Sequence, residues 1–129
     1  MIVVSDTSPV LNLARIGRLS LLPSLFRQVL IPSAVYEELA ASKKDLDLAL
    51  DLSSEPWLLV ATARDRRRVQ ELREDLDPGE AEAIVLAIER GADLLLVDER
   101  RGRRSATAAD LTVTGLLGVV PRARQGWLD

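Results

Sequence analysis

An α/β fold built around a central, mainly parallel sheet is what this sequence predicts, and three observations carry the prediction. Short apolar runs at residues 2–4, 29–31, 58–60 and 94–97 alternate with longer stretches of helical spacing, the pattern of βαβ units. The runs are apolar without interruption, as strands buried on both faces require. Capping signals mark the helices between them, with Ser8-Pro9 early in the chain and Asp77-Pro78-Gly79-Glu80 later.

Taken in order, the chain opens directly on the strand at residues 2–4. Ser8 then reads as an N-cap and Pro9 as the first helical position, followed by Val10, Leu11, Leu13 and Ala14 at helical spacing. A short second helix fits residues 19–22, and Pro23-Ser24 open a turn. The strand at 29–31 is closed by Pro32-Ser33, and a helix follows from Ala34 to about Ala41. Residues 46–52 alternate acid and apolar positions and fit a short helix. After the strand at 58–60 comes a charged surface helix over 64–76. Asp77 caps the next helix, Pro78 occupies its first position and Glu80 supplies the capping-box acid. That helix runs to Arg90 and stops at Gly91. The apolar strand at 94–97 precedes a basic helix near 100–109, a short strand at 112–113 and a last helix from Leu116.

The bulk composition narrows the chemistry. The 129 residues fit one domain spanning 1–129, and an apolar share of 47% can fill its core. No apolar run approaches the ~20 residues that span a bilayer, and the start lacks a basic, apolar secretory leader. With no cysteine there is no disulfide framework, so a cytoplasmic location is expected. The chain also has no histidine, and without cysteine or histidine the usual zinc sites, a Ser-His-Asp triad and a thiol nucleophile are excluded. Acid–base work near neutral pH then falls to carboxylates or to water on a metal, and oxygen ligands suit hard cations such as Mg²⁺ or Mn²⁺. The net charge is −3, yet arginine is dense at Arg64, Arg66, Arg67 and Arg68 and again at Arg100, Arg101, Arg103 and Arg104. Either group reads as a solvated helix face or as a contact for phosphates.

The carboxylates carry most of the functional signal. In open parallel sheets, ligands bind beyond the carboxyl ends of the strands. Asp6 follows the first strand and Asp98 the strand at 94–97, so both are expected at that edge. On the helix after Pro32, Val35 and Leu39 define the apolar stripe; Glu38 borders it while Glu37 points away. Glu80 has a plain reading as the capping-box acid and a functional one as a carboxylate delivered into the cleft, and it lies nearer the apolar stripe than Glu82. Two like charges ~4 Å apart repel by roughly 4 kcal/mol at a surface-like dielectric. Grouped acids therefore need a cation or raised pKa values, and a divalent metal supplies both charge and chemistry.

The stretches Val4-Ser5-Asp6-Thr7-Ser8-Pro9-Val10-Leu11-Asn12-Leu13 and Ile31-Pro32-Ser33-Ala34-Val35-Tyr36-Glu37-Glu38-Leu39 resemble the PIN-domain nucleases. Asp77-Pro78-Gly79-Glu80-Ala81-Glu82-Ala83-Ile84 and Leu96-Val97-Asp98-Glu99 complete the pattern, in order along almost the whole chain. The Gly-Glu-x-Glu-Ala-Ile form, with Gly102-Arg103 downstream, is similar to the branch that carries VapC-like toxins. The resemblance implies an α/β/α sandwich, Mg²⁺ or Mn²⁺, and endonucleolytic cleavage of RNA. It implies Asp6, Glu38, Glu80 and Asp98 as the catalytic, metal-binding acids. Ser8, Asn12, Glu82, Glu99 and Thr114 then fall in supporting positions, and Arg100, Arg101, Arg103 and Arg104 hold RNA. A cognate antitoxin and a homodimer belong to the same expectation. Related chains continue for a further helix or two, so the domain is expected to lack C-terminal helices.

Three other readings stand beside this one. A receiver-like phosphoacceptor domain needs a lysine after a late strand, whereas Lys43 and Lys44 follow a helix. A dehalogenase-like phosphatase needs an aspartate two residues beyond Asp6, where Ser8 stands. The remaining alternative is a non-catalytic PIN-fold module that sequesters RNA or a protein partner.

Overall fold

The computed structural model describes residues 1–46 and 52–97. Its elements run β1 (Val3–Ser5), α1 (Thr7–Arg15), α2 (Leu21–Leu25), β2 (Val29–Pro32), α3 (Ser33–Leu46), β3 (Leu58–Ala61), α4 (Arg66–Leu72), α5 (Pro78–Arg90) and β4 (Leu94–Leu96). A short 3-10 turn at Leu52–Ser54 precedes β3. The basic helix near 100–109, the strand at 112–113 and the last helix lie outside the described residues, as does most of the short helix expected at 46–52. Among the described residues no helix is long and apolar enough to cross a membrane.

The four strands form one parallel sheet in the order β3-β2-β1-β4. Alternation along each strand divides the core in two, because successive side chains point to opposite faces. Val3, Val29, Ile31, Leu94 and Leu96 face one side, where they pack with Val10 and Leu13 of α1 and Val35 and Leu39 of α3. Val4 and Leu95 face the other, packing with Val69 of α4 and Ile84, Val85 and Leu86 of α5. The result is three layers, helix–sheet–helix. Right-handed crossovers running in opposite directions along a sheet fall on opposite faces. The chain steps outward from β1 to β2 to β3 and then crosses back to β4, and its helices divide accordingly.

Several elements differ from expectation. Pro23 and Ser24, read as a turn, lie inside α2, and α3 runs past Ala41 to Leu46, taking in Lys43 and Lys44. The strand at β3 is apolar but not buried on both faces: Leu59 and Val60 are exposed among the described residues, because β3 is an edge strand there. The charged helix expected over 64–76 is shorter, Arg66–Leu72. The Glu89 carboxylate accepts from the backbone N–H groups of Arg64 and Asp65, holding them outside the helix, and Asp65 caps it by accepting from the Arg68 N–H.

The helix α5 sits at the centre of its layer. Residues 79–87 are all buried, which explains why every one of them except Glu80 and Glu82 is glycine, alanine or a larger aliphatic residue. Its ends are as the sequence reads: the Asp77 side chain accepts from the Glu80 N–H, Pro78 opens the helix, and Gly91 closes it at φ 59°, where L side chains are strained.

Candidate functional site

Strand order places a crevice before any side chain is considered. The chain leaves β1 toward one side of the sheet and later fills the other side with β4, so the winding reverses at β1. Open parallel sheets leave a cleft at the carboxyl end of a strand where this happens. Here a cavity of about 370 Å³ is lined by Asp6, Thr7, Ser8, Glu38, Ala41, Ser42 and Asp77.

Asp6 is the first residue past β1. Its N–H donates to the Leu96 carbonyl at 2.9 Å, so the pairing of β1 with β4 extends to the site residue itself. It is also the N-cap of α1, with extended backbone and Oδ1 accepting from the Thr7 N–H at 2.7 Å. This corrects the assignment of the cap to Ser8 and of the first helical position to Pro9. The helix begins at Thr7, which puts Pro9 third, among the first-turn residues whose N–H has no partner within the helix. The other oxygen, Oδ2, is buried without a hydrogen-bond partner. Burial pushes the Asp6 carboxyl up from 3.8 to about 7; the Thr7 N–H opposes this, while the charges of Asp77, Glu80 and Glu38 add to it.

Glu38 reaches the same cleft from α3. Val35 and Leu39 are fully buried, Glu38 is half-buried at the border of their stripe, and Glu37 is exposed. The Thr7 hydroxyl donates to Glu38 Oε2 at 2.6 Å, so one residue bonds both acids, by its backbone to Asp6 and by its side chain to Glu38. Across the cleft lies Gly79 at the start of α5. A Cβ there would collide with the Glu38 carboxylate, so glycine is what allows α3 to bring this acid against α5.

Asp77 completes the group. One carboxylate oxygen each from Asp6, Glu38 and Asp77 lie within 4.8 Å of one another. An all-oxygen donor set, a buried oxygen lacking a proton donor and a cradle that a Cβ would fill together fit a hard divalent cation.

The other expected site residues fall as follows. Glu80 is buried and its charge acts on Asp6, but its carboxylate is not one of the grouped three. Glu82 is buried and engaged elsewhere, accepting from Ser33 Oγ at 3.4 Å and pairing with Arg66 at 3.1 Å. Ser8 lines the cleft, and Asn12, one turn on, is exposed. Asp98, Glu99, Arg100, Arg101, Arg103, Arg104 and Thr114 lie outside the described residues. Sequence reasoning missed Asp77 because its role as a cap already accounted for it. The signal that could have found it is Gly79, a helix-disfavouring residue placed two positions into a helix whose neighbours are acids.

A family model described as a PIN domain matches residues 2–128 of the chain. No curated protein matches it.

Proposed function

The chain belongs to the PIN-domain family, and from that premise we propose that it is a metal-dependent endoribonuclease, the toxin of a toxin–antitoxin pair. The observation that carries the reading is Asp6 Oδ2: a buried carboxylate oxygen with no donor, in a cleft it shares with Glu38 and Asp77. Asp6, Glu38, Glu80 and Asp98 are the acids assigned to Mg²⁺ or Mn²⁺. Such an ion, when bound, lowers the pKa of a coordinated water and stabilises negative charge on a phosphoryl oxygen.

The chain's own residues do the rest. Thr7 fixes Glu38 through its hydroxyl and Asp6 through its N–H, so the two acids keep one geometry. Burial of Asp6 excludes water from its far oxygen and reserves that oxygen for a cation. Arg100, Arg101, Arg103 and Arg104 are assigned to flanking phosphates, which makes RNA binding sensitive to salt. A homodimer, a cognate antitoxin that blocks the cleft and a cytoplasmic location complete the proposal, all supported by the resemblance of the motifs.

The test is calorimetric titration of Mn²⁺ into the wild type and Asp98→Asn, with an RNA cleavage assay in parallel. Binding and cleavage are expected in the wild type, and both collapse in the variant. Binding without cleavage replaces the proposal with a module that sequesters RNA. No binding at all sinks the metal-dependent reading.

A further inference from the structure

We propose that Asp77 is a metal ligand as well as a helix cap, a carboxylate that starts α5 and closes the acid cleft at once. The inference rests on the metal-dependent reading above and adds to it a residue assigned so far only to the helix.

Four observations support it. Asp77 contributes an oxygen to the group of three that lie within 4.8 Å of one another, and it lines the same cleft as Asp6 and Glu38. Asp6, a member of the same group, carries an oxygen, Oδ2, that is buried and without a hydrogen-bond partner, an atom that calls for a positive neighbour. The absence of a Cβ at Gly79 lets the Glu38 carboxylate draw up against the first turn of α5, two residues from Asp77. Finally, the cap itself fixes the side chain, since Oδ1 accepts from the Glu80 N–H at 2.9 Å.

A cap alone does not explain a carboxylate here. Asparagine and serine cap helices about as well as aspartate. An aspartate beside two other acids adds repulsion that a neutral cap avoids, and a bound cation turns that repulsion into attraction. Oxygen is the donor type that a hard cation takes, and Asp77 offers it from a side chain already held by the helix. Cap and ligand roles thus reinforce each other: the helix orders the oxygen before any ion arrives.

The experiment separates the roles by using variants that keep the cap. Mn²⁺ is titrated calorimetrically into the wild type, Asp77→Asn, Asp77→Ser and Asp6→Asn, and urea unfolding of each is followed in EDTA. Asp77→Asn is expected to unfold in EDTA at the wild-type urea concentration or higher, while its Mn²⁺ affinity falls about 10-fold or more, a loss that even outer partners of metal sites commonly show. Asp77→Ser repeats the measurement with a smaller cap should the amide disturb the fold. If both Asp77 variants bind Mn²⁺ like the wild type while Asp6→Asn does not, Asp77 is only a cap and the metal centre stands without it. If the wild type binds no Mn²⁺, both readings fall together.

Discussion

Replacing Asp6 by asparagine should stabilise the metal-free protein at alkaline pH and leave it unchanged in acid. Asp6 is 2% exposed, and its carboxyl is pushed up from 3.8 to about 7, first by burial and then by the charges around it. A folded pKa above the unfolded one means that the native state holds the proton more tightly. The stability this group contributes is complete below pH 3.8, declines as pH rises, and is lost above about pH 7. At 1.36 kcal/mol for each tenfold change in proton affinity, the decline amounts to about 4 kcal/mol. Asparagine has nearly the shape of the protonated acid, and its oxygen can still accept from the Thr7 N–H that Asp6 Oδ1 caps. In EDTA, urea unfolding at pH 8 should therefore favour Asp6→Asn by up to about 4 kcal/mol, with the two proteins equal to within about 1 kcal/mol at pH 4. Added Mn²⁺ should reverse the ranking at pH 8, because only the wild type gains binding energy. A variant less stable than wild type at pH 8 in EDTA, or a difference of the same size at both pH values, would refute the argument from buried charge.

Three further substitutions probe the scaffold of the site. Thr7→Val keeps the shape and the backbone N–H but removes the hydroxyl that holds Glu38; a charge-assisted bond of this kind contributes roughly 1.5–3 kcal/mol, so Mn²⁺ affinity should drop about 10-fold or more by calorimetry. Gly79→Ala should hold or raise the thermal midpoint in EDTA, since alanine favours a helix by up to about 1 kcal/mol, while displacing the Glu38 carboxylate and weakening metal binding. Equal metal affinity in Gly79→Ala would show that Glu38 can retreat without cost. Arg66→Ala removes the partner of Glu82, but the arginine side chain is 54% exposed, so the urea midpoint should fall by no more than about 1 kcal/mol and Mn²⁺ titration should be unchanged.

The layers of the fold were legible because they rest on local signals. Uninterrupted apolar runs located the four strands among the described residues, and Asp77, Pro78 and Gly91 bounded α5 to the residue. What periodicity cannot supply is lateral order. Leu58 to Val60 read like any buried strand, and only the position of β3 at an edge leaves Leu59 and Val60 open to solvent. The start of α1 failed for a related reason. Ser8-Pro9 is a good local cap signal, but the backbone of Asp6 is set by its bond to Leu96, and that long-range contact begins the helix two residues earlier. The site divides in the same way. Asp6 followed from the end of a strand and Glu38 from its place on the helical wheel. The nearness of Asp77 follows from how α3 and α5 meet at Gly79, which no spacing along the chain records.

The bond from the Asp6 N–H to the Leu96 carbonyl has a consequence for how the molecule breathes. Most binding loops open in small, frequent fluctuations that leave the core intact, and their amides exchange with solvent quickly. Asp6 has no such independence. Its amide belongs to the ladder between β1 and β4, so freeing it requires parting strands whose side chains fill both halves of the core. Its deuterium uptake should track that of Val4 rather than that of the exposed residues after α1. The acid at the heart of the cleft is thus held by the ladder of the sheet and not by a loop of its own.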